Sequence, residues 1–246
     1  MGKIFDLDSP LVRFLNKVAD LMWLNILVLI CSIPVFTAGA ALTAAHYVAL
    51  KMRRDEEGYI TKEFFRSFKA NFKQATLIWL LMLVIAVILG TDFYLMRNNE
   101  DLKIPQVLQV LIMAASVLYV FLLVWVFPVQ AKFVNPISRT IKNAFALSMI
   151  QLPKTILMIL AYALPWGLLW LTLRVFPLVF LFGFSAPVFI SAFLYNKMFK
   201  GLEEKIRERM AEETPEGEKE PEEDDGVEQI FSDMPVNSGG EQEEKH

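Results

Sequence analysis

The sequence holds very little with which to do chemistry on a substrate. Cys31 is its only cysteine, which excludes an intramolecular disulfide and a cysteine-built metal cage. It lies in an apolar run and reads as a small buried thiol. The two histidines, His46 and His246, are too few to build a metal site by themselves. There is no Gly-rich phosphate loop, no HExxH, no GxSxG and no paired CxxC. No set of acid, base and nucleophile converges within the apolar stretches. The reading is therefore of a protein that is not an enzyme and needs no cofactor. The start of the chain also lacks targeting signals. Asp6 and Asp8 precede any apolar core, so no cleavable signal peptide is expected. Met-Gly-Lys-Ile-Phe-Asp lacks the Ser or Thr of a myristoylation signal. The first hydrophobic segment is expected to be retained.

Charge is missing as well, from long stretches. Hydrophobic residues make up 55% of the chain, and the charged ones gather between apolar runs. A bilayer core of roughly 30 Å takes about 20 apolar residues in helix, and several runs reach that length. The remaining charge is polarised. Met1 to Ala211 carries 22 Lys and Arg against 13 Asp and Glu, a net of +9. From Glu212 onward the figures are 2 and 14, a net of −12. The expected fold is all-α: a polytopic membrane helix bundle in residues 1–200, followed by a cytoplasmic helix end and tail in 201–246.

Ser9 and Pro10 read as an N-cap and a first-turn proline. Leu11, Phe14, Leu15 and Val18 form an apolar stripe opposite Arg13, Asn16 and Lys17, which suits a short helix on the membrane surface. From 21 to 50 the only residue expected to carry charge near neutrality is His46. Thirty helical residues would run about 45 Å, so two short helices are expected, broken at Pro34, Thr37 and Gly39. A polar loop and amphipathic helix then follow from Lys51 to Lys73. Phe64, Phe65, Phe68 and Phe72 alternate there with Arg66, Lys69 and Lys73, an arrangement that places rings in the headgroup boundary and cations among phosphates. A nucleic-acid surface can look similar, but beside a spanning helix no nucleic acid is expected as a partner. Further spans are expected at 75–95, 107–129, 156–173 and 176–194. A second basic amphipathic connector, with Arg139 and Lys142, lies between Lys132 and Lys154. Gly201 to Ala211 reads as the soluble end of the last helix. The Glu-rich tail lacks a periodic apolar face and is expected to be disordered.

Lys and Arg favour the cytoplasmic side of short loops. The first connector carries seven: Lys51, Arg53, Arg54, Lys62, Arg66, Lys69 and Lys73. The turns after Tyr94 and Leu173 carry only Arg97, Lys103 and Arg174. A cell-membrane protein with its connectors and C-terminus in the cytoplasm is expected. An internal N-terminus, beginning with Lys3, Arg13 and Lys17, requires residues 21–50 to cross twice, giving six helices. One kinked crossing, five spans and an external N-terminus is the alternative.

Within the spans, Ala38, Gly39, Ala40, Ala41, Thr43, Ala44 and Ala45 form a small-residue surface that lets backbones approach. It serves internal packing or docking onto another membrane subunit. His46 reads as hydrogen-bonded or interface-facing, with a functional role as the sharper alternative. Asn25 could bind another helix, Arg174 snorkels to headgroups, and Gln130 needs no special role. The junctions FKQATLIWLLMLVI and LPKTILMILAYAL are faintly alike, as after a duplication.

The run from Cys31 to Trp79, CSIPVFTAGAALTAAHYVALKMRRDEEGYITKEFFRSFKANFKQATLIW, resembles the YesL-like family of bacterial integral membrane proteins. The resemblance rests on Pro34, Thr37 and Gly39; on Arg54, Asp55, Glu56, Glu57, Gly58 and Tyr59; and on Ser67 through Thr76. It is strong over about 21–95 and looser to about 200. The family often has Pro soon after that Gly, where this chain has Ala40 and Ala41. Its members have no established activity and are typically encoded beside carbohydrate-uptake transporters. The resemblance implies an accessory or regulatory subunit of an oligosaccharide importer, touching membrane lipids and a permease. The contact surface would be Arg54 to Tyr59 with Phe65, Arg66, Phe68, Lys69 and Lys73. The alternatives are an autonomous small-solute transporter or channel, or a partner of a sensor kinase.

Overall fold

Proline and a threonine hydroxyl make the first break. A helix running up to residue 33 meets Pro34, which has no N–H and disfavours helical backbone just before it. In the computed structural model, which describes residues 10–56, 58–98 and 105–213, helix α1 covers Pro10–Cys31 and a single 3-10 turn covers Val35–Thr37. The Thr37 hydroxyl sits 2.5 and 2.7 Å from the carbonyls of Cys31 and Pro34, so it closes one helix while the next begins. The expected break is present. Gly39, however, lies inside α2 (Ala38–Arg54). The expected surface helix before the first span is not separate either: the stripe at Leu11 to Val18 belongs to the same unbroken α1. The segment through Ser9, Glu57, residues 99–104 and the acidic tail from 214 lie outside the described residues.

Helix α2 has only 17 residues, about 25 Å, yet 12 of them are buried. It packs against α3 (Ile60–Asn98), α8 (Ser185–Glu213), α4 (Gln106–Lys132) and α1. Protein sheathes it, so it has no need to be strongly apolar. Its basic last turn, Lys51, Arg53 and Arg54, faces the negative end of the helix dipole. It stops at Asp55, whose φ of 56° is left-handed, a conformation that Asp tolerates better than most residues.

The amphipathic connector and the following span are one helix, α3, of 39 residues. Its buried face reads Ile60, Phe64, Ser67, Asn71, Ala75, Ile78 and Met82, a stripe at helical spacing. The aromatic face thus turns partly onto protein rather than into headgroups: Phe64 is fully buried, and Phe68 stacks on it with centroids 6.1 Å apart. Helix α4 is surrounded only near its end, where every residue from Val124 to Lys132 is buried. The second connector contains α5 (Ile137–Ile150), as expected, and leads to α6 (Leu152–Leu171). The expected span at 176–194 is broken: α7 (Phe176–Phe182) meets α8 at a bend of 57°. Helix α8 runs on through residue 200 to Glu213.

The chain alternates direction. Lys17 near the start of α1 touches Asp55 at the end of α2, Asn71 of α3 meets Gln130 of α4, and Arg54 meets Glu203 of α8. One end of the bundle therefore collects most of the charged residues, and the other holds the break, the end of α3 with the start of α4, and the α6–α7 turn. Among the described residues four helices are long and apolar enough to cross a membrane, or five if the bent pair is one span. Five is the alternative count expected from the sequence; the count of six also took α2 as a crossing, and α2, at 17 residues and sheathed by protein, is too short to count as a span. Large apolar side chains such as Val87, Val107, Leu160 and Trp170 are exposed, while Asn25, His46, Asn71 and Gln130 are buried. This inverted distribution is that of a multi-pass membrane helix bundle.

Candidate functional site

Two sets of polar side chains occupy the bundle, one at the charged end and one in its interior. At the charged end, α2 delivers Arg54 toward α8. Its Nη1 and Nη2 donate to the two carboxylate oxygens of Glu203 at 3.1 and 2.7 Å, and its Nε donates to Asn196 Oδ1 at 2.9 Å. Lys132 from α4 brings its Nζ to 3.5 Å from the same carboxylate. The Arg54 and Lys132 side chains are 6% and 7% exposed. The planar fork of an arginine matches a carboxylate in two parallel bonds, and this one ties α2, α4 and α8 together.

A second group joins α2 to α3. Glu63 accepts from Lys51 at 3.2 Å and from Arg66 at 3.1 Å, and Arg66 also donates to the Tyr47 hydroxyl at 3.0 Å. Helix α1 is fastened by Lys17 to Asp55 at 2.7 Å and by Trp23 Nε1 donating to Thr61 Oγ1 at 2.8 Å. The hydrogen bond and charge of Lys17 hold the Asp55 carboxyl below its usual range.

The contact surface anticipated from the sequence therefore divides. Arg54 is turned inward and Arg66 is engaged with Glu63 and Tyr47. Asp55, Glu56, Gly58 and Tyr59 are exposed, Tyr59 at 85%, and Glu57 lies outside the described residues. Phe65 is partly exposed, Phe68 is half-buried, and Lys69 and Lys73 are exposed. Pro34 and Thr37 form the break. Gly39 serves a close approach: a Cβ there would lie 2.4 Å from the Trp79 Cβ and 2.6 Å from the Ala75 carbonyl oxygen. Trp79 Nε1 donates to the Val35 carbonyl at 2.7 Å, pinning the break to α3.

The interior set begins with Asn25. Its Nδ2 donates to the Phe180 carbonyl at 2.7 Å, and its Oδ1 accepts from the N–H groups of Phe184 and Ser185 at 2.8 and 2.9 Å. A bend between two helices frees backbone groups that lipid cannot satisfy, and Asn25 supplies partners on both sides of it. His46 sits between two tyrosines, its Nδ1 3.1 Å from the Tyr195 hydroxyl and its Nε2 2.9 Å from the Tyr162 hydroxyl. A neutral imidazole donates through one nitrogen and accepts through the other, so both hydroxyls are served by one ring. Gln130 Nε2 donates to Asn71 Oδ1 at 3.1 Å, and the Thr140 hydroxyl lies 3.4 Å from Gln130 Oε1. Gln74 donates to the Asn135 carbonyl. Trp125 Nε1 donates to Thr155 Oγ1 at 2.8 Å.

Gln130 thus has a role that the sequence reading denied it, and Tyr162, Tyr195, Asn196 and Glu203 were not singled out at all. The available signal was weak: polar tips inside apolar runs, and one acidic residue past the last run. Among the described residues no group of three or more His, Cys, Asp or Glu is placed to hold a metal ion.

Over residues 21–93 the chain matches the model of a family described as "Protein of unknown function, DUF624". The match runs from the middle of α1 through the break, α2 and the exposed loop to late α3, and it is consistent with the YesL-like resemblance. No curated protein and no solved structure matches the chain.

Proposed function

We propose that this chain is an accessory or regulatory subunit that packs beside another membrane protein, the permease of a carbohydrate importer in a bacterial cell membrane. The observation that carries the packing role is the α3–α4 arm. No residue in 83–98 or 106–123 is buried, and Val87, Ile88, Val107, Val110 and Met113 are all more than half exposed. Helices in lipid associate through close packing, and this arm offers two helices still without a protein neighbour on their outer faces. The identity of the partner rests on the family resemblance alone. The charged end is assigned to the cytoplasm because it gathers most of the Lys and Arg, with Arg97 and Arg174 at the other end.

The test is copurification of the tagged full-length chain from native membranes in mild detergent, paired with sugar uptake in a deletion strain. A sugar-importer permease should come down with it, and uptake should fall. Replacing Val87, Val110 and Met113 by bulky Trp should release the permease while leaving the chain monodisperse. A clean monomer with unchanged uptake would count decisively against the proposal.

An autonomous transporter is favoured by one feature. A broken helix beside buried polar residues is how many transporters build a site near the bilayer midplane, and the α7–α8 bend lies against Asn25. Against it, Asn25 and His46 are already engaged with other groups of the chain. Solute flux through liposomes holding the purified chain alone would favour this second reading.

A further inference from the structure

We propose that the acidic tail of this chain folds back onto its own charged end and seats the segment Val227–Met234 in a groove between α4, α5 and α8. The groove has a volume of about 290 Å³. Buried Val129 and Phe133 form its floor, and Leu147, Leu202 and Ile206 line it further, with exposed Arg139 beside them. It is therefore apolar inside and basic on one side.

The tail, taken as a whole, carries no sustained apolar face, but one stretch departs from that. Val227, Ile230, Phe231 and Met234 fall at positions i, i+3, i+4 and i+7, which is the anchor spacing of a helix laid in a groove. Asp225 precedes the stripe as an N-cap residue, Glu228 follows it three positions on, and Pro235 closes it. Nine residues are too few to hold a helix alone in water, so such a stripe needs a surface.

Three observations choose this surface over another. The first is charge: residues 212–246 carry a net −12 and the rest of the chain +9. Arg139 lines the groove and Lys142 lies on the same helix, while on α8 Lys205, Arg207 and Arg209 alternate with Glu204 and Glu208. Anionic lipid headgroups, the other candidate cover, would repel the same segment. The second is reach. Helix α8 supplies Leu202 and Ile206 to the groove and runs on to Glu213. The 13 residues from 214 to 226 span roughly 20 Å as a flexible chain, and the return from Glu213 to Ile206 is about 10 Å of helix. The third is tethering, which puts the segment at an effective concentration in the millimolar range, so even a weak contact is well occupied.

The test uses the full-length chain carrying Cys31→Ser, Ala146→Cys and Ser232→Cys. Ala146 lines the groove and is exposed, and Ser232 lies off the apolar stripe. A short bis-maleimide should link the two introduced thiols within one chain. Adding Ile230→Asp and Phe231→Asp should cut that yield at least fivefold and speed labelling of the residue-146 thiol by a water-soluble maleimide by a similar factor. Equal yield with the stripe broken would overturn the proposal as random collision. Links between chains would assign the groove to a second copy. No link, with the residue-146 thiol protected only in anionic-lipid vesicles, would assign it to lipid. The outcome does not depend on whether any permease copurifies.

Discussion

Two parts of this bundle, the packing around α2 and the α3–α4 arm, are built on opposite principles. Around α2 the helices touch closely and are tied by buried polar contacts: Arg54 to Glu203, Gln130 to Asn71, His46 to two tyrosines. In the α3–α4 arm no residue beyond Met82 on one helix, or before Val124 on the other, is buried. Glycine shows the contrast in a single residue type. A Cβ on Gly39 would meet Trp79 and Ala75, whereas one on Gly90 would meet nothing within 4 Å. The packing around α2 is specified by its neighbours in the chain. The arm is helical because a helix satisfies its own backbone in lipid, and its side chains face outward.

The sharpest way to break this comparison is to remove the carboxylate that holds the charged end. Glu203→Gln takes from the buried Arg54 the carboxylate it grips with two bonds, and breaking such a pair costs about 3–5 kcal/mol. Arg97→Gln, on the exposed end of the arm, should change stability by less than about 0.5 kcal/mol. Thermal unfolding in one detergent compares them directly. Similar midpoints for the two variants would mean that the charged end is not the stable half.

The next effect belongs to the bend between α7 and α8. Asn25→Leu removes three hydrogen bonds and strands the amides of Phe184 and Ser185, at a cost of roughly 2–3 kcal/mol. Hydrogen exchange should rise at those two amides and stay unchanged in α2. Uniform exchange across both would show that the bend does not need its asparagine.

What the sequence revealed divides along the same line. The break was legible because Pro34 acts through local sterics, and the spans were legible because length and hydropathy are properties of a run. The all-α membrane bundle followed from these. The inward turn of Arg54 was hidden, because its partner Glu203 lies 149 positions away and looks like any acidic residue past a span. The bend at Gly183 was hidden inside an apolar run, because Asn25, which bonds the backbone on both sides of it, lies far off in sequence. Helix α3 was divided in two because a change from amphipathic to apolar composition reads as a boundary, although nothing in the backbone stops there.

Gly39 and Gly90 supply the third comparison. Gly39→Ala forces α2 and α3 apart at Trp79, and overpacking of this kind costs about 1–3 kcal/mol. Gly90→Ala meets open space and should stabilise the helix by up to about 1 kcal/mol. Opposite signs in the unfolding midpoint are expected, and a shared sign would remove the distinction between the packed and the open half.

The smallest effect sits at the edge of the charged end, where Lys17 meets the exposed Asp55. Because Lys17 depresses the folded-state pKa of Asp55 below the ordinary 3.8, its contribution is complete above that value. It is lost as pH falls through the depressed one. The midpoint difference between the native chain and Lys17→Ala should therefore be present at neutral pH and close as the carboxylate protonates. It should also close in molar salt, where the screening length falls to about 3 Å, while the loss in Glu203→Gln persists because that carboxylate is shielded by protein. If salt erased both differences equally, the Arg54–Glu203 pair would behave as a surface contact, and the packed end would owe its stability to apolar burial alone.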